Sequence, residues 1–159
     1  MSTKKQASHS FAQTQKLGEQ FAQKYAPLVG QKPIIFALQG ELGSGKTQFV
    51  KGLAKGMGIE QLITSPSYTL VNEYQCVING QTHPFVHIDA WRLPSSKDLE
   101  TIGWSRFLEN NAVIALEWAH LPDLSHLDNQ AVIVPLAFHY ESATNDRTIT
   151  WVVEEDKQL

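Results

Sequence analysis

The chain has 159 residues, 42% of them hydrophobic and 18% charged, which excludes a disordered tail or a coiled coil and suits one domain, residues 1–159. A net charge of -3, with Arg92, Arg106 and Arg147 as the arginines, leaves little basic surface for gripping nucleic acid directly. A single cysteine, Cys76, excludes an internal disulfide; a polar Met1–Ser10 and the lack of any apolar run near the roughly 20 residues of a membrane span point to a cytoplasmic protein with no membrane partner.

Residues 1–9 read as a loose lead-in. Ser10 with Gln13 makes a capping pattern, and Phe11, Leu17, Phe21 and Tyr25 fall near helical spacing, so a helix is expected over 11–25. Ile34 to Leu38 is apolar without alternation, as in a strand covered on both faces of a parallel sheet. A glycine-rich turn, Gly40 to Gly45, leads into a helix from Lys46 to about Gly56. Tyr68 to Val71, Tyr74 to Ile78 and Phe85 to Ile88 read as strands, with Asn79-Gly80 as a hairpin turn. A helix fits 97–109 behind a Ser95 or Ser96 cap. Ala112 to Leu116 is a second unalternated strand, ending at Glu117, and 120–130 reads as a polar loop. Residues 131–140 and 148–153 read as a closing antiparallel pair, in which Pro135 predicts an edge or a bulge.

The decisive stretch is Gly40-Glu41-Leu42-Gly43-Ser44-Gly45-Lys46-Thr47, which fits G-x-x-x-x-G-K-[ST] at every fixed position. Glycines let consecutive N–H groups converge, and the helix that follows presents its unpaired N–H groups to the same point. Lys46 adds a mobile positive charge for phosphate oxygens. The Thr47 hydroxyl is a hard oxygen ligand suited to Mg2+. Strand, glycine-rich turn and helix in that order are the setting this cradle requires. The expected fold is therefore α/β, a three-layer P-loop nucleotide-binding type with a mainly parallel central sheet and a C-terminal antiparallel pair. Neither an Asn-Lys-x-Asp guanine reader nor an Asp-x-x-Gly switch occurs, so ATP/ADP is the expected nucleotide.

A phosphate cradle works with carboxylates at neighbouring strand ends. Asp89 ends one expected strand and Glu117 another. One is expected to hold Mg2+ and the other to orient or deprotonate water; sequence leaves the assignment open. Lys46, Asp89 and Glu117 are thus the expected catalytic groups, and Thr47, Asp89 and Glu117 the metal set. Contacts to the nucleotide are expected from the cradle residues, from Gln48, from Thr64 at the head of the Thr64-Ser65-Pro66-Ser67-Tyr68 turn, and from Trp118 at the rim. His83 and His87 are four apart but straddle Pro84 in strand-like sequence, so they make no helical metal pair; His87 stands near enough to Asp89 to lie by the phosphates.

Four motifs in this order resemble the TsaE (YjeE) family of bacterial P-loop ATPases of tRNA threonylcarbamoyladenosine (t6A) biosynthesis. The cradle resembles the family's G-[DE]-L-G-[AS]-G-K-T, and Thr64 to Tyr68 its switch loop. His87-Ile88-Asp89-Ala90-Trp91-Arg92 resembles its H-x-D-x-Y-R, and Glu117-Trp118 its E-W-P. Ser67, Trp91 and Ala119 depart from the usual Thr, Tyr and Pro. The resemblance implies slow ATP hydrolysis in support of subunits of the TsaD and TsaB type, which carry out the transfer, with tRNA contacted mostly through them. It implies that Thr47 and Glu117 ligate Mg2+, that Asp89 binds or activates water, and that Thr14 lies near the base. A small-molecule kinase is the alternative enzyme, although three scattered arginines make a poor lid. A nucleotide-dependent binding module is the non-enzymatic alternative.

Overall fold

The structure, a computed structural model, describes residues 1–120 and 122–153. Leu121, within the expected 120–130 loop, and residues 154–159 lie outside the described residues. The strands are β1 (Ser2–Ser8), β2 (Ile34–Gly40), β3 (Val71–Ile78), β4 (Gln81–Asp89), β5 (Val113–Glu117), β6 (Val132–Glu141) and β7 (Asp146–Val153). The helices are α1 (Phe11–Tyr25), α2 (Lys46–Gly56), α3 (Ser96–Glu100) and α4 (Trp104–Glu109). The strands form one sheet in the order β1-β7-β6-β2-β5-β4-β3. Its centre is parallel, with β2 between β5 and β6 and β4 beyond β5. β3, β7 and β1 are antiparallel to their neighbours.

Alternate residues of β2 explain its unbroken apolar run. Ile34, Phe36 and Leu38 face α1 and α2, packing with Leu17, Phe21, Phe49 and Leu53. Ile35 and Ala37 face the other way, toward Leu99, Trp104 and Phe107 of α3 and α4. β5 divides in the same manner, with Val113 and Ala115 on the first face and Ile114 and Leu116 on the second. Both faces are covered, so neither strand has a polar side to reveal a period of two.

α1 and α2 approach until their backbones touch. A Cβ on Gly52 would stand 1.8 Å from the Gln15 carbonyl oxygen, and one on Gly18 would stand 2.3 Å from that of Phe49. α1 starts at Ser10, whose hydroxyl accepts from the Gln13 N–H, while the Gln13 side chain accepts from His9 N–H instead of from Ser10.

Four expectations are corrected. The lead-in is a strand: Ser2 to Ser8 pairs with Val153 to Arg147. Its side chains are mostly exposed, so backbone bonds and not apolar burial hold it, and no hydrophobic period marks it. The 97–109 helix is two: α3 ends at Glu100 with Thr101 as its C-cap, and Gly103, at a φ of 95°, is the N-cap of α4. Tyr68 to Leu70 is turn, not strand: Leu70 takes a φ of 67° and donates its N–H to the Pro66 carbonyl. β6 is interior, paired to β2 along its start; its ladder with β7 begins at Leu136. The exposed Pro135 is in register with Ala37 of β2, one residue before the β7 ladder begins.

Candidate functional site

The carboxyl ends of β2, β4 and β5 meet at one edge of the sheet, and strand parity decides what they present. His87 and Asp89 continue the face of Phe85, and Glu117 continues that of Val113 and Ala115, the face on which α2 packs. Asp89 and Glu117 are register partners across β4 and β5. All three side chains are therefore directed to the side where the loop after β2 turns into α2. Asp89 and Glu117 line a cavity of about 250 Å3 together with residues 42–48 and Trp118.

The loop itself has the conformation its glycines allow, with φ of 78° at Gly43 and 100° at Gly45. Gly45 is the N-cap of α2, so the first N–H groups of that helix open toward the cavity. The Lys46 ammonium is folded back onto the loop. It donates to the carbonyl oxygens of Gly40 and Glu41, the latter at 3.0 Å, and lies 4.5 Å from the centre of the Trp118 ring. Burial pulls its pKa down, although Glu117, Asp89 and Glu41 pull the other way.

Thr47 Oγ1 donates to Glu117 Oε1 at 2.8 Å, and His87 Nε2 lies 3.2 Å from the same oxygen. Burial pushes the Glu117 carboxyl up, but His87, the Thr47 hydroxyl and the Lys46 charge outweigh it and hold it below the usual carboxylate range. Asp89 goes the opposite way. Burial and then the Glu117 charge raise it, against the Trp91 N–H, 3.3 Å from Oδ1, and the charges of His87 and Lys46. One carboxylate is thus kept ionised and the other is biased toward its protonated form. Trp118 follows Glu117 at a φ of 61°, a costly conformation for a bulky residue that sets its ring over Lys46.

The other expected contacts are partly brought together. Gly40 and Glu41 line an adjoining cavity on the far side of the loop, with Trp118 shared between the two. Gln48 lines the main cavity and accepts from the Gln15 amide at 2.8 Å. Thr64 is exposed and does not line the cavity, whereas Ser65 and Ser67 of the same turn do. The turn reaches the site through its end as well: the Leu70 carbonyl accepts from Asp89 N–H at 2.9 Å. Thr14 is fully buried beneath the loop, its hydroxyl bonded to Ser8 Oγ at 2.7 Å and its methyl side near Gly45, and it does not line the cavity.

Sequence reasoning missed Arg147 and Phe11, which also line the cavity. The Arg147 guanidinium is 5.1 Å from the centres of both the Phe11 and Tyr140 rings and donates to the Gly43 carbonyl at 3.4 Å. It is 7% exposed, and among the described residues its Nε is buried without a partner, as is Ser44 Oγ. The available signal was parity: Arg147 shares a strand face with Ile149 and Trp151, an inward place for a charge.

The donors present fit Mg2+ accompanied by phosphates. Thr47, Asp89 and Glu117 are hard oxygen donors, and among the described residues no group of three or more His, Cys, Asp or Glu could hold a metal by itself. Mg2+ commonly takes one or two carboxylates and completes its shell with water and phosphate oxygens. The unpartnered Ser44 Oγ and Arg147 Nε further mark the loop as a polar cradle.

The sequence model of "Threonylcarbamoyl adenosine biosynthesis protein TsaE" matches residues 8–149. The chain belongs to the TsaE family. Among relatives named "tRNA threonylcarbamoyladenosine biosynthesis protein TsaE", that of Bacillus subtilis is 37% identical over 87 residues, 55% of this chain and 51% of the relative. That of Haemophilus influenzae is 34% identical over 104 residues, 65% and 63%. That of Synechocystis is 36% identical over 118 residues, 70% and 68%. The match thus spans about half the length of the Bacillus subtilis relative. The crystal structure of Bacillus subtilis YdiB is similar in fold, with a TM-score of 0.64 and 25% identity, covering 94% of this chain and 84% of that one. No helix among the described residues of this TsaE-family chain is long and apolar enough to cross a membrane.

Proposed function

We propose that this chain binds and slowly hydrolyses Mg2+–ATP in the service of t6A formation, working with transferase subunits of the TsaD and TsaB type and contacting tRNA mostly through them, in the cytoplasm. The observation that supports this most is the Thr47–Glu117 contact at the mouth of the phosphate loop, with Asp89 in register beside it. It brings a hydroxyl, two carboxylates and an ammonium to one polar cavity, and family membership supplies the pathway.

The residues divide the work by environment. Glu117, held ionised, and Thr47 are suited to the cation, which when bound neutralises phosphate charge. Asp89, with its raised pKa, is suited to accept a proton from water. Lys46 exchanges its loop carbonyls for phosphate oxygens, and Arg147 adds a second cation at the same cavity. Trp118 and Phe11 offer ring faces at the rim for the rest of the nucleotide.

The test compares ATP and GTP binding with and without Mg2+, then ATP turnover with and without the transferase subunits. The expected result is Mg2+-dependent ATP binding and turnover that rises when the subunits are added. Turnover that depends on a small-molecule acceptor instead would mark a kinase and overturn the proposal.

A further inference from the structure

His87 is fully buried in β4, two residues before Asp89, and it does not line the cavity. A buried imidazole needs a reason for its polarity. Nε2 lies 3.2 Å from Glu117 Oε1. A carboxylate oxygen accepts, so Nε2 carries the proton and donates. Nδ1 is buried with no partner among the described residues. The whole polar contact of the ring is therefore with Glu117.

Thr47 donates to the same Oε1, which leaves Oε2 without a hydrogen bond to any described residue. Two donors on one oxygen restrict the rotation of the carboxylate. Thr47 is also assigned to the cation, so His87 is the donor of the two with no second task. Histidine is also rigid enough to act this way, since its ring is fixed by the surrounding apolar core of β4 and β5.

We propose that His87 is a positioning residue: its Nε2–H holds Glu117 in one orientation before Mg2+ and nucleotide arrive. This rests on the Mg2+–nucleotide reading above. Residues that orient metal ligands in this manner typically contribute 10- to 100-fold in metal affinity.

The experiment uses the full chain and the variants His87→Gln, His87→Asn and His87→Ala. Glutamine can place an amide N–H near the position of Nε2, whereas asparagine's falls near Nδ1. Each protein is first titrated with a fluorescent, non-hydrolysable ATP analogue in EDTA, and Mg2+ is then titrated into the complex. The expected result is one metal-free affinity for all four, Mg2+ affinity about tenfold or more weaker in His87→Asn and His87→Ala, and affinity near wild type in His87→Gln. Wild-type Mg2+ affinity in His87→Asn overturns the positioning role alone. So does a His87→Gln as weak as His87→Asn, which would show that the ring only fills space. Should His87→Ala fail to fold, the Gln and Asn pair still decides. A wild-type protein that gains nothing from Mg2+ overturns the nucleotide reading and this inference with it.

Discussion

Lys46 shows how a site can be set before its ligand arrives. Its ammonium rests on two carbonyls of its own loop and on the Trp118 ring, contacts that the proposed function exchanges for phosphate oxygens. Hydrogen bonds to charged groups contribute about 1.5–3 kcal/mol each. Lys46→Ala is therefore expected to weaken ATP binding or turnover roughly tenfold to hundredfold, measured by calorimetry and phosphate release. Unchanged values would remove the loop from the active site. Asp89 yields a prediction of the opposite sign for stability. Its pKa is raised by burial and by Glu117, so between the ordinary and raised values the native state holds more protons than the unfolded chain. Stability is then lost as pH rises through that window. The nucleotide-free Asp89→Asn variant should melt higher than wild type at pH 7, with the gap closing as the pH falls toward the ordinary carboxylate range, while its ATP turnover falls. A melting point equal to or below wild type at pH 7 would contradict this. The strand-end positions of Asp89 and Glu117 were legible because each follows an apolar run. Arg147 was not, because its loop partner Gly43 is 104 residues away along the chain. Thr14 was read toward the base, yet its hydroxyl is occupied by Ser8.

Among the elements, the α1–α2 pair depends on what it lacks. Gly18 and Gly52 permit contact between main chains, where an added methyl meets backbone atoms that cannot rotate away. Gly52→Ala should cost roughly 2 kcal/mol or more despite alanine's better helix propensity, lowering the melting temperature by about 5 °C. Lys55→Ala on the same helix, which breaks a largely exposed pair with Glu19, should fall within about 0.5 kcal/mol of wild type. Thermal melts of the two variants check this, and an equal effect would show that the helices are not in tight contact. β2 and β5 were readable because two covered faces leave an unbroken apolar run. The turn over 101–103 and the turn at Leu70 were not, because each contains a residue with positive φ set by its surroundings.

At the scale of the molecule, the sheet is wider than its apolar pattern announces. The parallel centre carries the hydrophobic signal, while β1 is polar and edge-placed, with Lys4 and Lys5 exposed in a manner that discourages pairing with other chains. Its partner is β7, the strand that carries Arg147, and Ser8 pairs with Arg147 in register. Deleting residues 2–8 should lower the melting temperature by roughly 5 °C or more and weaken ATP binding, although no cradle residue is touched. Equal melting and equal affinity in the truncated protein would show that the strand contributes nothing to the site.

That pairing gives a stretch of sequence without any motif a share in the site. A chain lacking residues 1–8 would keep the cradle, Asp89 and Glu117. It would nevertheless leave β7 with a bare outer edge and Thr14 without the hydroxyl of Ser8. The support beneath the cradle thus comes partly from residues that no motif marks.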